Sequence, residues 1–213
     1  MSLRINRLLV RTAPLFVMAA IALAGCGQNK SDHENNKRAS DTINHPGTPH
    51  MNTQGAPAAT ANIKPSQAAA TQPSNQNVNG TVTFTQSGDG VKVVANLNGL
   101  SPGKHGFHIH DKGDLSDPEL KSAGGHFNPT KHKHGGPDTA DHHAGDLGNI
   151  TADASGHATL EATVQGVSLE EGGGANSIIG KSVVVHAKED DLKSDPAGKS
   201  GGRIAGGVIE LQK

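Results

Sequence analysis

The 213-residue sequence has a single cysteine, no tyrosine, no tryptophan and only four phenylalanines. A lone cysteine, Cys26, rules out any disulfide within the chain. For a chain bound for an oxidising compartment, that is a departure from habit. With so few aromatic side chains, the core must be built from small aliphatic residues and alanine. An excess of one charge is missing too: the net charge is −1, which excludes the basic footprint of a nucleic-acid-binding protein. No stretch sustains a helical period of apolar residues. What is plentiful is glycine, 28 residues, with 11 prolines and 13 histidines. Such a turn-rich composition leans all-β, and the length suits one domain with a tail.

The N-terminus reads as a targeting segment. Arg4, Arg7 and Arg11 form a basic region, and Ala13 to Ala24 form an apolar run too short to span a membrane well. Leu23-Ala24-Gly25-Cys26 looks like a bacterial lipobox, which implies that residues 1–25 are a signal peptide and that Cys26 is lipidated. Residues 26–79 then read as the lipidated cysteine and a flexible tether. They are rich in Asn, Gln, Ser, Thr, Ala and Pro and poor in branched aliphatics, a composition that buries too little apolar area to order itself. As a coil the tether would span roughly 40 Å. His33, His45 and His50 within it are read as inert.

The domain is expected over 80–213. Thr81–Thr85 and Val91–Leu97 alternate on either side of a Ser87–Gly90 turn and predict a hairpin. Further strands are expected around His108 and His110, at Asn149–Ala152, at His157–Val164, at Ser182–His186 with Ile178 and Ile179, and at Ile204–Leu211. The fold predicted is an all-β, Greek-key sandwich or barrel of about eight antiparallel strands with long loops. From residue 80 onward 12 basic residues stand against 17 acids, a net of −5. A domain of that charge repels small anions unless positive charge is focused where they enter.

The segment from Gly106 to Asp146 carries the chemistry. His108 and His110 sit two apart on a strand and project from one side. A Gly- and Pro-rich loop with few apolar residues then places His126, His134, His143 and Asp146. Imidazoles and a carboxylate at such spacings suit zinc or a transition metal, so the loop is read as folded around metal.

The motifs Gly106-Phe107-His108-Ile109-His110, Ser122-Ala123-Gly124-Gly125-His126-Phe127-Asn128-Pro129, His134-Gly135-Gly136-Pro137, His143-Ala144-Gly145-Asp146-Leu147-Gly148-Asn149, Val185-His186 and Gly201-Gly202-Arg203-Ile204-Ala205-Gly206-Gly207-Val208-Ile209 follow in order. Together they resemble the copper/zinc superoxide dismutase family, in its bacterial lipoprotein form. The resemblance implies copper ligands at His108, His110, His126 and His186. It implies zinc ligands at His126, His134, His143 and Asp146, with His126 bridging as imidazolate. Asp190 matches a carboxylate that links ligands of the two metals through hydrogen bonds. Arg203 matches an arginine that steers and holds the superoxide anion, and Lys199 is a weaker candidate for the same work.

The implied activity is dismutation of superoxide to oxygen and hydrogen peroxide by copper cycling between its two oxidation states. The implied place is the outer face of a cell membrane, held by lipid on Cys26. The alternative is a copper- and zinc-binding surface lipoprotein without efficient turnover. His105, His132, His142 and His157 match no ligand position and are taken as surface histidines. Family members usually carry a disulfide whose positions here are Leu120 and Gly206, so zinc is expected to supply much of the missing constraint. The segment between His186 and Arg203 is short, so a charged guiding helix there is expected to be reduced. Oligomeric state is left open.

Overall fold

Alternation of inward and outward side chains builds eight strands. The computed structural model describes residues 56–71 and 77–213. Its strands are β1 (Ala58–Pro65), β2 (Asn79–Ser87), β3 (Gly90–Asn98), β4 (Gly103–His110), β5 (Asp146–Ala152), β6 (Ala158–Gln165), β7 (Ser182–His186) and β8 (Arg203–Leu211). All pairings are antiparallel and the sheet closes on itself in the order β1, β2, β3, β6, β5, β4, β7, β8. The jumps from β3 to β6 and from β4 to β7 are the Greek-key crossings expected from the sequence. The seam between β5 and β6 is short, made by Thr151 opposite Thr159 and Ala152 opposite Ala158.

Inside the barrel, Val82 and Phe84 of β2 meet Val93, Ala95 and Leu97 of β3 and Ile209 of β8, all fully buried. The core is mostly aliphatic, as the shortage of aromatics requires, with Phe84, Phe107 and Phe127 its aromatic members. Both faces are covered along β7 and along β4 from His105 onward. Phe107, Ile109, Val183 and Val185 face the core. The alternate residues His108, His110 and His186 face outward and are nevertheless buried. What covers them is the 111–145 loop and the irregular 187–202 segment.

Two expectations need correcting. The tether was expected to run to residue 79, yet β1 lies inside it. Ala59, Ala61 and Ile63 point inward with 0–2% exposure, and β1 pairs with β2 on one side and β8 on the other. Alanines carry little apolar area, so the segment reads as polar; the pairings along both edges order it instead. His105 was expected at the surface but is 2% exposed. The expected signal peptide, Cys26, the tether histidines and the rest of the expected tether up to residue 55, with residues 72–76, lie outside the described residues. Among the described residues, the helical elements are two 3₁₀ turns, Ala69–Thr71 and Lys121–Ala123. No guiding helix lies in 187–202, which instead folds back through Ala187 N–H to Gly202 O and Lys188 N–H to Ser200 O.

Candidate metal centre

Barrel register places the first group. His108 pairs with Val184 and His110 with Ser182 across the β4–β7 ladder, and His186 ends β7 opposite Arg203. The loop then adds His126 through a backbone bridge to His110, secured as Phe127 N–H donates to Ile109 O. Ile109 N–H in turn donates to Gly145 O, which pins the far end of the loop just before Asp146. One strand residue thus anchors both passes of the loop.

The result is two groups of four: His108, His110, His126 and His186, and His126, His134, His143 and Asp146. In each group one nitrogen or oxygen per side chain lies within 4.8 Å of the others, and every member is buried. Partners outside the groups turn the rings. His108 Nε2 lies 2.7 Å from Asp190 Oδ2, which leaves Nδ1 facing the first group. His110 Nδ1 donates to Gly124 O and His186 Nδ1 to Gly201 O, so both Nε2 atoms face inward, 3.4 Å apart. Two nitrogens without protons at that distance have nothing to give each other.

His126 faces both groups. Its Nδ1 is 2.7 Å from Asp146 Oδ1, and its Nε2 is turned the other way. Asp146 spends Oδ2 on the backbone N–H groups of Gly135 and His143, which leaves Oδ1 for the second group. His134 Nδ1 comes within 3.1 Å of that Oδ1 without hydrogen-bond alignment. Three buried ring nitrogens, His108 Nδ1, His126 Nε2 and His134 Nδ1, have no hydrogen-bond partner. Buried polar atoms without partners are costly, and these three all point into the two groups. An all-imidazole set suits copper, and three imidazoles with one carboxylate suit zinc, so the residues fit both metals.

Electrostatics separates the groups. Burial lowers the pKa of His108 and His110 and brings His126 to about 4 and His186 to about 3, so these rings are neutral at pH 7. Neutral imidazole is the form that binds metal. For His134, burial acts downward, but the carboxylates of Asp146 and Asp190 on either side of the ring outweigh it and raise the value to about 10. Burial pushes Asp146 and Asp190 upward, and their histidine partners more than reverse this.

Asp190 joins the two halves, with Oδ2 on His108 and Oδ1 2.9 Å from His134 Nε2. Gly198 makes room for it: at φ +60 its backbone passes so close that a Cβ would overlap Asp190 Oδ1. Arg203 reaches the first group through a shared acceptor. Its Nη2 donates to Gly124 O at 2.6 Å, the carbonyl that also takes His110, and its Nη1 donates to Leu120 O at 2.5 Å. Arg203 lines a cleft of about 470 Å³ with Glu119, Lys121 and Gly202. Lys199 lies apart, 79% exposed and 3.7 Å from Asp191.

A family model described as copper/zinc superoxide dismutase (SODC) matches residues 78–209. The chain belongs to the copper/zinc superoxide dismutase family. A solved structure titled as a crystal structure analysis of the clock protein EA4 is similar at 37% identity. That match has a TM-score of 0.63 and covers 76% of this chain and 99% of the other.

Two supports of this dismutase-family site went unread in the sequence. Asn149 accepts from Asp190 N–H at 2.8 Å and donates to Asp190 O at 3.0 Å, holding the linking carboxylate; it ends the quoted His143 motif. His105 sets its Nδ1 2.8 Å from His186 O and its Nε2 2.8 Å from Ser101 O, beneath the end of β7. Its parity with Phe107 and Ile109 was the available signal for an inward ring. His132 is exposed, and His142 and His157 are partly so.

Proposed function

We propose that this protein is a superoxide dismutase, with copper held by His108, His110, His126 and His186 and zinc by His126, His134, His143 and Asp146. The observation that carries the reading is His126, whose two ring nitrogens face two complete donor sets. Copper would supply a one-electron couple and zinc a fixed charge without redox chemistry, so that two superoxide anions and two protons give one oxygen and one hydrogen peroxide.

The chain's own residues do the rest. Arg203 supplies a fixed positive charge beside His110 in a domain of net negative charge, which draws the anion in and orients it by hydrogen bonds. His126 Nε2, the ring atom turned toward the first group, would carry the proton to the reduced dioxygen whenever copper does not hold it. Asp190 and Gly124 O keep the His108 and His110 rings turned so that they cannot swing away.

The test is steady-state dismutation by the copper- and zinc-loaded chain. Rates near about 10⁸–10⁹ M⁻¹s⁻¹, lost in His186→Ala, are expected. Consumption of one superoxide per copper and no more would replace the enzyme with the metal-binding lipoprotein. The location belongs to the same proposal. The Leu23–Cys26 pattern supports a lipid anchor on Cys26 facing away from the cytoplasm, where the enzyme meets superoxide that does not readily cross membranes. Cys26→Ser should move the protein from the membrane to the soluble fraction, and unchanged partitioning would contradict the anchor.

A further inference from the structure

The Arg203 side chain spans two separate pieces of the fold. Its backbone begins β8, and its guanidinium ends on the carbonyls of Leu120 and Gly124 in the 111–145 loop. A guanidinium keeps its aim only if those two pieces keep their distance. No covalent tie can do this, since the only cysteine is Cys26.

The segment after β1 runs between the two pieces and bonds to both. The β1–β8 ladder ends with Lys64 opposite Gly206 and Pro65 opposite Ala205. Ser66 extends it by two bonds: its N–H donates to Ile204 O at 2.8 Å, and its hydroxyl donates to Arg203 O at 3.1 Å. The same hydroxyl accepts from Ala69 N–H at 3.0 Å, which fixes its rotamer, and Ser66 is 2% exposed. Two residues on, Ala68 N–H donates to Pro118 O at 2.9 Å in the loop. The loop is plugged from its own side as well. Leu120 adopts left-handed φ 58 with its side chain 4% exposed, and its Cδ1 lies 3.2 Å from where a Cβ on Gly206 would stand. A Cβ at 206 would crowd that methyl and stand 3.0 Å from Val183 O.

We infer that Ser66–Ala68 is a non-covalent strap that positions Arg203, with Ser66 the positioning residue and Leu120 packed over Gly206 as its counterpart. The strap ties the base of the arginine to the loop that bears its acceptors. The inference rests on the reading of Arg203 as the anion-holding group, but its test does not need turnover. In the full chain loaded with copper(I) and zinc, nitrogen NMR of the Arg203 guanidinium should show slow, resolved Nη protons. Ser66→Ala removes both bonds of the hydroxyl, to Arg203 O and from Ala69 N–H; loss of the first should speed their exchange about fivefold, with the dismutation rate falling in parallel. Ser66→Thr, which keeps the hydroxyl, should restore both.

Unchanged Arg203 exchange in Ser66→Ala would overturn the strap. In the unsubstituted protein, the Ser66 and Ala68 amides should exchange as slowly as those of β1; Ala68 exchanging like an exposed loop amide would overturn it equally, even if Ser66→Ala does not fold. A chain that shows slow Arg203 protons but no dismutation would sink the proposed activity and leave the strap standing.

Discussion

His108, His110 and His186 stand on strands whose register the barrel fixes, whereas His134 and His143 lie in a loop that has few apolar residues to hold it. The strand-built half contains no carboxylate, and burial keeps its rings neutral. The loop-built half is held by charge: Asp146 takes three histidines and two backbone N–H groups, and His134 lies between Asp146 and Asp190. The first half is preformed by packing, and the second gathers negative charge that a bound cation would balance. In the absence of metal, the proton that Asp146 and Asp190 favour on His134 is the nearest substitute. Asp190 is the point at which the loop half reports to the strand half.

The largest effect should come from removing the frame beneath the strand half. A chain starting at Val78 keeps every candidate ligand but lacks β1, so β2 and β8 lose their shared partner and the barrel opens. It should show no cooperative thermal transition, whereas a chain starting at Ala56 should melt as one unit. A normal melt for the shorter chain would mean that β1 is dispensable and the frame lies elsewhere.

Zinc removal should strike the other half. Chelation is expected to lower the melting temperature on the order of 10 °C, from the linkage of tight binding to folding. His143→Ala should melt near the chelated protein, with zinc adding little back. A melting curve indifferent to chelator would contradict the loop's dependence on metal.

A smaller effect separates the halves by pH in the metal-free protein. His108, His110, His126 and His186 have folded values below the ordinary 6.5. The unfolded chain therefore takes up protons first, and stability falls as pH drops below about 6.5. Asp146 and Asp190, lowered from the ordinary 3.8, add stability above that value and lose it in stronger acid. His134 acts in the opposite sense: raised to about 10, it contributes fully below about 6.5 and is lost as pH rises through 10. Melting temperatures measured from acid to alkali should therefore peak near neutrality, acid striking mainly the strand half and alkali the loop half. Stability that kept rising from pH 7 to 10 would contradict the charge on His134.

Much of this was open to a reader of the sequence, and the exceptions share a cause. Alternation marks β2, β3 and β6 directly, and the histidine motifs name both donor sets. β1 escaped because its inward residues are mostly alanine and its partners are distant, with Ala59 opposite Leu211 and Phe84. Its order comes from ladders that no local pattern records. His105 escaped because it matched no ligand position, although its parity put it with Phe107 inside. The Ser66 bonds to Arg203 and Ile204 join residues 137 or more positions apart, and only the closed barrel brings them together. Short-range pattern shows which side chains do chemistry; long-range closure decides what holds them.

The most direct measurement is amide hydrogen exchange along the full chain with and without bound zinc. The loop from His126 to Asp146 should lose protection at least tenfold on zinc removal, while β4 and β7 stay as protected as before. Equal loss in β4, β7 and the loop would contradict a strand half that stands without metal and a loop half that does not.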